Sequence, residues 1–332
     1  MSAQNHTAQL ARKGAAPLEV HYKINSEAGL ESVTSLIVGA NSAVLIDAPF
    51  LVPDAKEVVT WIKEKTSVPL VAVFTSHGHP DHYFSASVVL EAWPEAKFLA
   101  APYVTKLIDE EFDDKVPYWR KVYGEAVPEH PRKPDPYPFS FFVLPSNPSS
   151  PIFLMGPVQG DQVDHSMFYL PREKVLITGD CLYGRGVHTW AAEISTPALL
   201  ESWRNILALM DGLDLALLIP GHLSSTAGLG PEKDKDIEYN REYLELFAQK
   251  VTYAAKKPGM EELYSTFESA FPSCTANKGF FLGKLADCFG AGGPGWKENE
   301  HAGIDERTSE ELDGWILGGG KKNSEEVRVA LG

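Results

Sequence analysis

TSHGHPDH, residues 75–82, puts three imidazoles and a carboxylate within six consecutive positions, His77 to His82. The six residues before Thr75, PLVAVF (69–74), form a continuous apolar run of the length expected for a buried strand, so the chain delivers His77 from a strand end. Imidazole and carboxylate are the donors that a borderline divalent metal takes. The small Gly78 and the rigid Pro80 suit a backbone that must turn sharply to make those donors converge. By composition an H-x-H-x-D-H pattern is roughly a one-in-a-thousand event or rarer, which sets a metal site well ahead of an exposed histidine-rich turn.

Working outward, LEVHYKI (18–24), VTSLIVG (33–39) and AVLIDA (43–48) are short apolar runs separated by Gly, Asn and Ser, the pattern of a β-meander. A helix is predicted over 53–66, where Val58, Val59 and Ile62 recur at helical spacing and Pro53 suits a first turn. Beyond His82, SASVVLEAW (85–93) reads as helix, KFLAAP (97–102) as strand, and residues 102 to about 127 as a helical insert. Residues 128–151 are proline-rich loop with one short strand, FSFFVL (139–144). Strands resume with HSMFYLP (165–171) and KVLITGD (174–180), then a helix over about 196–210 and a last strand in LALLIPGH (215–222). From about 231 the passages EYNREYLELFAQKVTYAAKK (238–257) and MEELYSTFESAF (260–271) are amphipathic and helical, and the last forty or so residues read as coil or disorder.

These residues carry a resemblance to the metallo-β-lactamase superfamily over roughly residues 18–225. Thr75, His77, His79, Asp81 and His82 match its T-x-H-x-H-x-D-H signature, ITGD (177–180) resembles its strand-end Gly-Asp, and IPGH (219–222) its final Pro-Gly-His. The family's intervening Gly-His segment is absent. Aligning Tyr169-Leu170-Pro171 with its aromatic-x-Pro puts Gly160-Asp161 in that place, so spacing favours Asp161 as the third ligand of the first metal while residue type favours His165. The resemblance implies an α/β fold, a four-layered αββα sandwich, here with a helical insert near 102–127. Residues 18–225 would form the catalytic domain and 226–332 a helical extension and tail packed on it. It also implies two divalent metal ions, zinc first, with manganese or iron open. His77, His79 and Asp161 would hold one ion, Asp81, His82 and His222 the other, and Asp180 would link them; Asp81 and Asp180 double as catalytic residues. The implied chemistry is hydrolysis of a small lactone, lactam, ester or thioester by a metal-bridged hydroxide.

The loop after Asp180 should border such a site, which makes His188 and Trp190 candidate substrate contacts with Tyr183 behind them, although loop aromatics often only pack on a neighbouring helix. Cys181 reads as a small core residue rather than a ligand. Trp119 and Tyr123 share a face of the insert at i, i+4 spacing and are expected to anchor it more than to roof a pocket. A net charge of −15 with no basic stripe argues against nucleic-acid binding. Three cysteines, no signal-like N-terminus and no apolar run of membrane length point to a cytoplasmic protein that does not span a membrane. The expected partner is a small-molecule substrate, and homo-oligomerisation is left open. The rival functions are iron-dependent redox chemistry on the same fold, phosphodiester cleavage, and a non-enzymatic role.

Overall fold

The computed structural model describes residues 17–224 and 230–294. β1 (Glu19–Ile24), β2 (Val33–Val38) and β3 (Ala43–Ile46) form the expected antiparallel meander, with Glu19 opposite Val38 and Leu36 opposite Leu45. β4 (Leu70–Phe74), β5 (Lys97–Ala100) and the short β6 (Asp135–Pro136) then add in parallel, giving the order β1-β2-β3-β4-β5-β6. Parallel neighbours need crossovers. They are supplied by α1 (Val52–Lys65), α2 (Ala86–Ala92) and α3 (Pro102–Tyr123). α1 begins with Pro53 in its first turn and buries Ala55, Val58 and Ile62, the face that the helical spacing marked.

The second sheet has the order β11-β10-β9-β8-β7, with β7 (Phe141–Phe142), β8 (Ile152–Val158) and β9 (His165–Leu170) antiparallel. β10 (Val175–Ile177) pairs antiparallel with β9 and parallel with β11 (Leu217–Ile219). α4 (Pro197–Gly212) makes that crossover; Thr196 caps it by accepting from the Leu199 N–H at 3.3 Å. Alternation along these strands decides the layering. Phe168, Leu170, Val175, Ile177 and Ile219 share one core with the first sheet, α1 and α2, whereas Met167, Leu176 and Leu218 join a second core with Leu199, Trp203 and Leu207 of α4. Phe74 of β4 meets Phe168 of β9 across the sheets, with ring centroids 5.7 Å apart. Helix, sheet, sheet, helix is therefore the order of layers.

Two strands of the second sheet differ from expectation. The strand read across 139–144 shrinks to Phe141–Phe142, and β8 runs through a stretch where none was expected. Gly156-Pro157 reads locally as a turn, yet the ladder slips between Met155 and Val158 and so accommodates a residue with no N–H to donate. Beyond the sandwich, α5 (Lys233–Phe247) passes through a π-helical turn, Ala248–Thr252, and is followed by α6 (Met260–Ala270) and α7 (Lys278–Phe289). Ile237, Tyr243, Leu244, Phe267, Phe281 and Leu282 of these helices sit in the second core. α7 covers a segment given no element above, and the tail from residue 295 lies outside the described residues. Among the described residues no helix is long and apolar enough to cross a membrane.

Candidate metal centre and the cavity above it

The carboxyl ends of β4, β10 and β11 open on one edge of the sandwich, the usual place for a ligand in such sheets. β4 leads into residues 75–82, where Pro80–His82 is a single 3-10 turn; β10 leads into a second such turn, Gly179–Cys181; β11 leads to His222. Gly179 has φ +52°, and a Cβ there would fall 2.7 Å from Ser76 Oγ. A Cβ on Gly221 would collide with the Asp180 carboxylate. These two glycines let the three strand ends approach closely.

The edge gathers His77, His79, Asp161 and Asp180 into one group of donors and Asp81, His82 and His222 into another. Asp180 reaches both: its Oδ2 is 3.9 Å from His77 Nε2 and 3.1 Å from His222 Nε2, and its Oδ1 is 3.2 Å from His82 Nε2. Each imidazole is tethered through its other nitrogen. His77 Nδ1–H donates to Ser76 Oγ (2.9 Å), which donates to Asp47 Oδ2 (2.9 Å). His82 Nδ1–H donates to the same Asp47 oxygen (3.1 Å), His222 Nδ1–H to the Leu30 carbonyl (2.8 Å), and His79 Nε2–H to Glu193 Oε1 (2.8 Å). This network assigns the tautomers and leaves a lone pair on every inward nitrogen.

That arrangement makes little sense without cations. His82 Nε2 and His222 Nε2 face each other at 3.4 Å, and His77 Nε2, Asp161 Oδ1 and Asp180 Oδ1 are buried with no hydrogen-bond partner. Ligands about 2.0–2.1 Å from a tetrahedral ion lie about 3.3 Å apart. The separations of 3.1 Å for His79 Nδ1 to Asp161 Oδ2 and 3.3 Å for His222 Nε2 to Asp81 Oδ2 match that spacing. The donors therefore fit divalent ions, with outer partners of the kind that orient metal-binding histidines.

The electrostatics agree. Burial opposes charge on His222, but Asp180 and Asp81 outweigh it and raise the imidazole to about 10. His82 is likewise held well above its ordinary value, burial being overcome by Asp180, Asp81 and Asp47. His77, by contrast, is driven well below it by burial and by the neighbouring His165 and His82. Burial would raise the Asp180 carboxyl, yet His222 and His82 hold it well below the carboxylate range. The pocket of carboxylates draws in positive charge, whether as protons or as metal.

Of the two candidates for the third ligand, Asp161 stands within the first group. His165 lies behind it: Nδ1–H donates to the Gln162 carbonyl (3.0 Å), Nε2 is 3.2 Å from Asp161 Oδ1, and the ring stacks on His77 at 4.0 Å. Tyr183 lines the cavity above the donors and also touches them. Its hydroxyl is 2.7 Å from both Asp161 Oδ2 and Asp180 Oδ2, and its ring stacks on His222 at 5.1 Å. His188, expected to border the site, is fully buried and is not among the residues lining the cavity, its Nδ1 lying 3.4 Å from the Tyr243 hydroxyl. His188 stands two residues beyond Gly186, which has φ +98°, and its ring thus faces Tyr243 of α5. Cys181 is buried, its carbonyl accepting from Trp203 Nε1 at 2.8 Å.

A cavity of about 290 Å³ opens over these donors. His79, Asp81, Asp161, Asp180 and His222 form its floor, and Phe50, Trp119, Trp190, Phe280 and Phe281 its walls. Trp190 donates through Nε1 to Glu193 Oε1 (3.2 Å), the oxygen that also holds His79, and stacks on Phe280 at 5.3 Å. Trp119 both lines the cavity and packs edge-on against Phe50 at 5.2 Å, while Tyr123 packs on Phe50 at 5.0 Å. Anchoring and roofing are thus one function of the insert. Glu193 and the α7 phenylalanines carry no sequence signal beyond being polar or apolar, whereas Asp47 is marked as a carboxylate directly after an apolar strand.

A sequence profile of the metallo-beta-lactamase superfamily matches residues 28–222. No curated protein matches the chain. Among solved structures, TMB-1 is 15% identical with a TM-score of 0.46, covering 71% of this chain and 99% of its own. A metallo-beta-lactamase from Pontibacter korlensis is 18% identical, with a TM-score of 0.47 and coverage of 69% and 94%. One from Erythrobacter litoralis is 19% identical, with a TM-score of 0.46 and coverage of 65% and 85%.

Proposed function

The chain belongs to the metallo-beta-lactamase superfamily, and from that premise we propose that it is a two-metal hydrolase of a small carbonyl substrate, a lactone, lactam, ester or thioester. The observation that carries the proposal is the pair of adjoining His/Asp groups, joined by Asp180, at the floor of an aromatic cavity. His77, His79 and Asp161 would hold one ion and Asp81, His82 and His222 the other. Zinc is the ion proposed; three carboxylates among the donors extend the range to manganese and iron. When bound, such ions supply Lewis acidity toward a carbonyl oxygen and lower the pKa of water from 15.7 to about 7.

The chain's own residues do the rest. Asp47, Glu193 and the Leu30 carbonyl hold the outward imidazole protons, so the inward nitrogens stay available as ligands. Tyr183 keeps one hydroxyl proton between Asp161 and Asp180 and fixes their relative orientation. The walls exclude bulk water and take up the apolar part of a substrate, which strengthens the electrostatics at the floor. Phe280 and Phe281 on α7 support reading 226–332 as an extension that completes the pocket of an 18–225 catalytic domain. Three cysteines outside any disulfide suit a cytoplasmic protein.

Elemental analysis of the gently purified chain, run beside hydrolysis of aromatic lactones, lactams, esters and thioesters, tests the proposal. About two ions of zinc or manganese per chain with turnover of any panel member is the expected result. Iron with a silent panel would overturn it in favour of redox chemistry.

A further inference from the structure

The cavity wall contributed by α3 consists of two adjacent ridges at i, i+4 spacing. The inner ridge is Glu111, Lys115 and Trp119, all lining the cavity; Lys115 forms an ion pair with Glu111 and also donates to the Gly78 carbonyl at 3.4 Å. Its charges cancel, and Lys115, the one lysine or arginine among the described residues that line the cavity, is already committed. The outer ridge is Glu110, Asp114 and Tyr118. Glu110 and Asp114 are exposed at the cavity mouth, and neither has an ion pair among the described residues. Glu193 on the opposite side is engaged by His79 and Trp190. Two carboxylates without an ion pair among the described residues therefore share the cavity lining with rings that run from Tyr118 through Trp119 and Phe280 to Trp190, with successive centroids 4.9, 6.3 and 5.3 Å apart.

Carboxylates and aromatic faces lining one cavity attract an organic cation and repel an anion, the ring quadrupoles adding to the charge. At the floor, Asp161 Oδ1 and Asp180 Oδ1, buried and without a hydrogen-bond partner, fix which end of the cavity is reactive. We propose that the enzyme takes carbonyl substrates whose non-reacting end is a protonated or quaternary amine. The proposal rests on the hydrolase reading for the reaction, but cation recognition at the mouth is a property of α3 and the aromatic wall alone.

Two measurements on the purified protein separate the two. The first is quenching of tryptophan fluorescence by phenyltrimethylammonium against its neutral isostere tert-butylbenzene. The second is kcat/KM for esters of one acid with a trimethylammonioethyl, a 3,3-dimethylbutyl or a carboxyethyl group. In both, the cation should be favoured over the neutral isostere by about three- to tenfold, with the anion poorest and the preference shrinking as salt rises. The E110Q/D114N double variant should bring the cation-to-neutral ratio to within about twofold of unity. D109N, which removes a carboxylate of the same helix that pairs with Lys133 away from the cavity, should leave that ratio as it was. Cation-selective binding with neither these esters nor the lactone, lactam and thioester panel turned over would leave cation recognition at the mouth standing and sink the hydrolase reading. Hydrolysis without cation preference, equal binding of both isosteres, or a ratio indifferent to E110Q/D114N would overturn the inference.

Discussion

Replacing Asp47 with asparagine tests whether the metal ligands are held by their outer partners. Asp47 follows β3 in a left-handed conformation (φ 62°), which asparagine also tolerates, so the backbone is not perturbed. The carboxylate accepts three hydrogen bonds, from Ser76 N at 2.7 Å, Ser76 Oγ at 2.9 Å and His82 Nδ1 at 3.1 Å. An amide has one oxygen, so in either orientation at least one of those buried donors meets an NH₂ group. A hydrogen bond to a charged group is worth about 1.5–3 kcal/mol, and a donor left unsatisfied costs a similar amount, so D47N should lose about 2–3 kcal/mol of stability. Because His82 is held directly and His77 through Ser76, metal affinity should fall by about 10- to 100-fold. Urea denaturation reads the first effect and chelator competition the second. Metal affinity within twofold of wild type would refute the orienting role even if stability fell, and no change in either would refute the assigned network.

Burial lowers the His188 imidazole to about 4, against the Cys274 backbone hydrogen bond and Glu268, which raise it. The unfolded chain, with an imidazole near 6.5, takes up this proton first, so His188 contributes its stability above about pH 6.5 and loses it as pH falls toward 4. The gap in unfolding free energy between wild type and H188Q should therefore shift by about 2 kcal/mol against the wild type between pH 7 and pH 5; a gap independent of pH would contradict the shift. W190F keeps an aromatic ring against Phe280 but removes the indole donor to Glu193; KM should rise several-fold, roughly the effect of about 1 kcal/mol, with metal content unchanged, and metal loss would mean that Trp190 acts through His79 instead. F168A removes a fully buried ring at the contact between the sheets and should cost about 3–5 kcal/mol in a denaturant titration; a loss below about 1 kcal/mol would place Phe168 outside the shared core.

Features decided by residues close in sequence were legible before any coordinates. A continuous apolar run makes β4, alternation makes the meander, and a turn of eight residues brings three imidazoles and Asp81 together because the chain has nowhere else to put them. Pro53 and the 3.6-residue spacing behind it mark α1 for the same reason. β8 was hidden because Gly156-Pro157 carries a local turn signal that pairing on both sides overrides. Where side chains point once two sheets close on each other is not a local property. Ser76 and Asp47 meet across 29 positions, His79 and Glu193 across 114, and His222 reaches the Leu30 carbonyl across 192. Tyr183 and His188 lie five residues apart on one loop, yet one hydroxyl ends between two carboxylates and one ring ends in the helical core. The sequence alone determined the His77–His82 cluster and the strands that deliver it, while the choice between Asp161 and His165 waited on the fold. Only packing decided which nitrogen faces inward, which aromatic rings wall the cavity, and that Glu110 and Asp114 join its lining, because those depend on contacts between segments whose spacing the chain does not encode locally.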